Sequence, residues 1–347
     1  MMQLFFGLAV TLAVNVYAQG DAAPATAAPR ASASLLAALA AVPADPAPAV
    51  LRNVDAKSVG EHYWVCNEKH LELFQPTVFN AKGLLLGVGT DQMYTLAGWQ
   101  DPDILLLTDY DPWVVHLHQA YFALVRAADT PKKFIALWSP TQRATSLHLL
   151  QPPPSTNSGE KSEALTQRLF RQAGGQVYYH LLQVQQRMRS AKVPCWLTDQ
   201  AQYDRVRALV REGRAIALQA DWTRRGAMPT VAQVLKQHGQ MVRVAYLSNA
   251  EDYLQPYPPE FRAIVRALPV DAQSWWLRTQ ATGKSSIDLR YNIQRLQNFA
   301  NWLAHPQVKL SRQIVVRLPT SSYDQVQFAE TKGAQPPAWL IGKAKLP

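Results

Sequence analysis

From residue 83 onward, short apolar runs rich in Leu, Ile and Val alternate with longer stretches of helical period. That alternation constrains the chain to βαβ units around a largely parallel sheet, because parallel neighbours need a crossover between them. The runs predict strands at Gly83–Gly87, Ile104–Thr108, Phe134–Leu137, Ala215–Gln219, Val242–Leu247 and Trp275–Arg278. Helices are predicted at Gln92–Trp99, Pro112–Ala127, Glu163–Ser190, Tyr203–Glu212, Val231–His238, Pro259–Ala267 and Tyr291–Leu303. Pro112 suits a first helical turn, where its missing N–H costs nothing. The long helical stretch after the loop Gln151–Gly159 reads as an insertion between two strands.

The ends of the chain are different in kind. Residues 1–18 have the apolar run and the small residues before Gln19 that mark a secretory signal peptide, which predicts an exported, periplasmic or secreted protein. Residues 19–55 are dominated by Ala and Pro and offer little to bury, so they read as a flexible spacer with a transient helix over Ser34–Val42. Residues 56–330 form the α/β body, and residues 331–347 a frayed tail. No segment after the signal is apolar for long enough to cross a bilayer.

Lys and Arg number 35 against 25 Asp and Glu, a formal charge of +10. The cations are scattered through helices, which argues against specific nucleic-acid binding and leaves weak attraction to an anionic envelope polymer as their consequence. Export permits a bond between the two cysteines, Cys66 and Cys195, and neither has the spacing of a metal site.

Chemistry is expected at the strand ends. Leu84 to Gln92 is a strand running into a G-x-G turn, Gly87-Val88-Gly89, that opens a helix at Asp91 and Gln92. Glycines there let a ligand approach the backbone, although Gln92 stands where a dinucleotide fingerprint has its third glycine. Asp109 ends the next strand about 20 residues on, where a carboxylate can hold ribose hydroxyls. Asp221 follows the Ala215–Gln219 strand, and Ser248, Asn249 and Glu251 follow Val242–Leu247. Each of these either meets a ligand or serves locally, Ser248 or Asn249 as a cap and Asp221 as a loop residue. Asn67 and Glu68 either fold over the pocket or begin a helix running through Leu73.

Several of these motifs together, in order, resemble an uncharacterised bacterial family of S-adenosylmethionine methyltransferase-like proteins. They are Cys66-Asn67-Glu68, Gly87 to Gln92, the strand ending in Asp109, Trp196 to Asp199, Gln219 to Asp221, Tyr246 to Leu254 and Tyr291 to Gln294. The resemblance spans roughly Glu61 to Leu303. It implies a Rossmann-like, seven-stranded methyltransferase-type sheet with helices on both faces, and S-adenosylmethionine held at Gly87, Gly89, Asp91, Gln92 and Asp109. Asn67, Glu68, Ser248 and Glu251 would then meet the acceptor, and Asp221 or Asn249 would orient it. The chain departs from the pattern at Cys66, where a small hydroxyl residue is expected, and at Tyr110 and Asp111, which replace a basic pair. An exported enzyme would also be parted from a cytoplasmic methyl donor. The alternative is therefore a catalytically inactive binding protein or effector on the same fold.

Overall fold

A computed structural model describes residues 31–49, 60–151, 159–281, 289–315 and 327–328. Among the described residues there are seven strands: β1 Leu84–Gly87, β2 Ile104–Asp109, β3 Ala215–Gln219, β4 Val242–Tyr246, β5 Trp275–Gln280, β6 Arg290–Arg295 and β7 Gln327–Phe328. They form one mixed, mostly parallel sheet in the order β3-β2-β1-β4-β5-β6-β7. Strands β3, β2, β1, β4 and β5 run parallel to one another, whereas β6 runs antiparallel to β5.

Strand period two sorts the side chains cleanly. Leu85, Leu105 and Leu107 enter one apolar core, and Leu84, Leu86, Ile104 and Leu106 enter another. Both faces are therefore covered, as a parallel sheet requires. The helix Ala227–Gln237 closes the second core with Met228, Val231, Ala232 and Leu235. The helices between β2 and β3, among them Pro112–Ala127, Gly159–Ser190 and Gln200–Arg211, pack on the first.

Five of the six expected strands form within two residues of their expected ends. Phe134–Leu137 does not: it lies in a helix, Pro131–Trp138, whose Thr130 hydroxyl accepts from Lys133 N at 3.2 Å. Pro131 in the first turn and the helical spacing of buried Phe134, Ile135 and Trp138 decide against a strand. The helix expected over Tyr291–Leu303 is divided into β6 and a helix Leu296–Leu303. Pairing with β5 overrides the helical period here, and Arg278 Nη2 donates to Gln294 Oε1 across the two strands at 2.7 Å.

Over residues 31–49 the expected flexible spacer is also corrected. Ala33–Ala40 is a helix capped by Ser32, with Leu35 and Leu39 buried in the second core. Beyond it, buried Asp45 accepts from Asp221 N at 2.9 Å and Ala227 N at 3.0 Å, while its own N–H donates to Gln219 O at 2.9 Å. One carboxylate thus joins the end of β3 to the N-terminus of the Ala227–Gln237 helix, where Gly226 supplies no side-chain cap. The Cys66–Cys195 bond that export would permit is absent, and both thiols are free and buried. Cys66 sits against Glu68 and Cys195 against Thr198. The segments expected to be a signal peptide and a frayed tail lie outside the described residues. Among the described residues no helix is long and apolar enough to cross a membrane.

Replacing Asp45 by Ala strands two buried N–H donors at once. The expected cost is about 2–4 kcal/mol of unfolding free energy, read from chemical denaturation of the otherwise wild-type chain. A loss below about 0.5 kcal/mol, the range of an ordinary surface substitution, would show that the segment contributes nothing to the fold.

Candidate functional site

Chain order reverses between β1 and β4, which lie side by side although they are not consecutive. Loops leaving the carboxyl ends of such strands diverge to opposite faces and open a crevice. A cleft of about 350 Å³ occupies that position, lined from β3, β2, β1 and β4 by Asp221, Asp109, Gly89, Ser248 and Asn249. Asn67 reaches it from the preceding segment.

Gly89 has φ +97°, a conformation favoured by glycine, and a Cβ there would stand 2.1 Å from Gln92 Nε2. Gln92 is buried beneath the turn, its Oε1 accepting from Thr90 N at 2.9 Å. His118 fixes the turn from below. Its Nε2 is 2.8 Å from Gly89 O and its Nδ1 is 2.9 Å from Tyr94 OH. A carbonyl only accepts, so Nε2 carries the proton and Nδ1 receives the tyrosine hydroxyl. Burial pushes this ring down to about 4, which keeps it neutral.

Gly87, Asp91 and Gln92 do not reach the cleft wall. Gly87 is a packing position, where a Cβ would meet Met93 Sδ and Tyr246 O, both at 2.6 Å. Asp91 is buried, accepting from Cys66 N at 3.0 Å and lying 2.9 Å from His180 Nε2. Burial alone would raise its carboxyl, but His180 and these hydrogen bonds outweigh that and hold it below the usual range.

Two further acids expected at the site are also internal. Glu68 is buried under Ser248 and accepts from Ser248 Oγ at 2.8 Å, Thr279 Oγ1 at 2.7 Å and the Tyr246 hydroxyl. Burial raises its carboxyl above the usual range, against the pull of those donors. Glu251 pairs with fully buried Arg278 (Nε to Oε2, 2.8 Å) and accepts from Trp276 Nε1 and the Tyr257 hydroxyl. It holds the core between β5 and the loop after β4.

Asp221 lines the cleft and also ties its own turn, accepting from Thr223 N at 2.8 Å and Thr223 Oγ1 at 2.7 Å. Ser248 has φ +53°, and Asn249 makes no side-chain cap to the short helix it precedes. Asp109 accepts from Asp111 N at 3.0 Å. Desolvation pushes its carboxyl up to about 7, with the Asp111 charge adding to the rise and backbone N–H groups opposing it.

The cleft is also lined by His62, Tyr63, Trp222 and Tyr253, which were not expected at a site, and by Tyr110 and Asp111, which the sequence marks only as departures from the methyltransferase-like pattern. Asp111 is the N-cap of the Pro112–Ala127 helix, accepting from Trp113 N at 2.9 Å, and an Asp before Pro is a legible cap. Its other oxygen lies 2.7 Å from His62 Nδ1, a pairing across 49 residues that no local pattern encodes. Four acids, Glu61, Asp109, Asp111 and Asp221, line the cleft, and no Lys or Arg does among the described residues, although the chain carries +10.

Asp109 gives the site a pH signature. A carboxyl raised to about 7 binds its proton more tightly in the folded state than the ordinary value of about 3.9 allows in the unfolded one. Its effect on stability is nil below the unfolded value, grows more unfavourable as pH rises through that window, and is constant above about 7. Asp109→Asn should therefore gain stability relative to wild type between about pH 4 and pH 8, measured by denaturant titration at both pH values. A pH-independent difference would contradict the desolvated carboxyl.

No curated protein matches the chain. A family model described as a domain of unknown function, DUF7790, matches residues 63–332. That span takes in all of the cleft loops from Tyr63 to Tyr253, and the chain belongs to the DUF7790 family.

Proposed function

We propose that the cleft binds the adenosyl group of S-adenosylmethionine, on a Rossmann-like sheet, and that the chain is a methyltransferase-like protein. The observation that carries this reading is the meeting of Gly89 and Asp109 on one cleft at the ends of adjacent parallel strands. A positive-φ glycine gives the ligand access to backbone, and a carboxylate beside it suits a pair of ribose hydroxyls.

The charge of the cleft selects among nucleotide-like ligands. A wall with four acids and no described Lys or Arg favours a sulfonium cation over a pyrophosphate. The turn supports the same choice, since Thr90 N–H is occupied by Gln92 Oε1 instead of being left for a phosphate oxygen. Asp221 and Asn249, on the same wall, would orient an acceptor, while export would place the protein in the periplasm or outside the cell. Methyl transfer asks little of the protein beyond orientation when the acceptor is already nucleophilic, because the donor carries the reactivity.

Calorimetry with S-adenosylmethionine and S-adenosylhomocysteine tests the proposal. Asp109→Ala should weaken binding by roughly 10- to 150-fold, the equivalent of ~1.5–3 kcal/mol for a charge-assisted hydrogen bond. Gly89→Ala should be worse, since its Cβ collides with Gln92 and strains the turn. NAD and ADP should bind more weakly than either adenosyl compound. Wild-type protein that binds neither adenosyl compound at about millimolar concentration would overturn the reading.

A further inference from the structure

His62 stands on the cleft wall with one ring nitrogen committed and the other not. Nδ1 lies 2.7 Å from Asp111 Oδ2. An ionised carboxylate only accepts, so in the neutral ring the proton sits on Nδ1 and the lone pair on Nε2. Two tryptophans hold the ring in place, Trp64 at 4.9 Å and Trp113 at 5.5 Å between centroids. Asp111 is itself fixed, because its other oxygen caps the Pro112–Ala127 helix. This is a base oriented by a carboxylate whose own position is set by the fold, the arrangement general-base catalysis needs. Glu61 and Asp109 share the wall with it, and the Arg168 guanidinium lies over the Trp113 ring at 5.6 Å.

We propose that His62 is the general base of this cleft and that the acceptor it serves is an uncharged phenol. The proposal rests on the adenosyl reading above. Tyr110 and Tyr253 both line the cleft and are 42% and 44% exposed, so an aromatic acceptor would meet aromatic surface there. The acids of the wall turn away an anionic acceptor, so the phenol arrives protonated and must lose its proton in place. In the transfer, the phenol oxygen bonds to the methyl carbon and the carbon–sulfur bond breaks with its electron pair returning to sulfur. The phenol proton passes to His62 Nε2. Charge balances: the sulfonium becomes a neutral thioether, and the positive charge ends on the imidazolium, next to Asp111.

Three measurements on the full chain separate this proposal from the reading beneath it. Nitrogen-15 NMR of wild type should show His62 as the tautomer protonated at Nδ1. With methyl-labelled S-adenosylmethionine and para-cresol as probes, wild type should form the methyl ether. His62→Gln should bind S-adenosylhomocysteine within about threefold of wild type yet transfer methyl at least about 100-fold more slowly near neutral pH. Its residual rate should climb about tenfold per pH unit towards the phenol pKa of about 10, since only phenolate then reacts. His62→Ala should behave alike. An Nε2-protonated tautomer, a pH-independent loss in both variants, or wild type that binds S-adenosylhomocysteine but leaves para-cresol unmethylated would overturn the proposal. Absence of S-adenosylhomocysteine binding in wild type would bring down the adenosyl reading, and the base with it.

Discussion

Strand β1 is paired on both edges and buried on both faces, and that confinement sets the rest of the structure. Its four residues lie between β2 and β4, with Leu84 and Leu86 in one core and Leu85 in the other. A strand so enclosed can leave only past its carboxyl end. There the chain has Gly87 where Met93 and the Tyr246 carbonyl crowd the backbone, and Gly89 where the turn needs positive φ. The helix Asp91–Gln100 then packs on one face while the chain after β4 leads to the helix Pro259–Ala267 on the other, and the cleft lies where they part.

Around that turn, much of the acidity is structural. Asp91 pairs with His180, Glu251 with Arg278, and Asp45 joins β3 to a helix N-terminus. Glu68 takes three hydroxyl donors from β4, from the loop after it and from β5. Buried carboxylates remain in a fold only when their lone pairs are met, and removing a partner is costly. What remains at the cleft is a smaller set: Asp109, Asp111 and Asp221, with Glu61 on the rim.

Period-two and period-3.6 patterns exposed most of the frame, because a sheet buried on both faces writes continuous apolar runs such as Leu84–Leu86 and Ile104–Leu107 into the sequence. Patterns failed where distant partners decided the outcome. Arg290–Arg295 runs directly into a helix and forms a strand by pairing with β5. Ala33–Ala40 looks too small to order, yet the surface it covers belongs to residues some 200 positions away. At the site, Gly89, Asp109, Asp221 and Asn249 were legible because strand-end position is a local property. Glu251 does not line the cleft, because it is buried against Arg278 on another strand, a partner no local pattern encodes. His62 could not be found because only the folded chain brings it to Asp111.

The central claim is that the β1 turn and the acid ending β2 form one adenosyl site. A crystal structure of the full chain grown with S-adenosylhomocysteine tests it most directly. The account predicts the ligand in the cleft beside Gly89, with both ribose hydroxyls donating to the Asp109 carboxylate. Ligand bound elsewhere, or held in the cleft with its ribose away from Asp109, would contradict it.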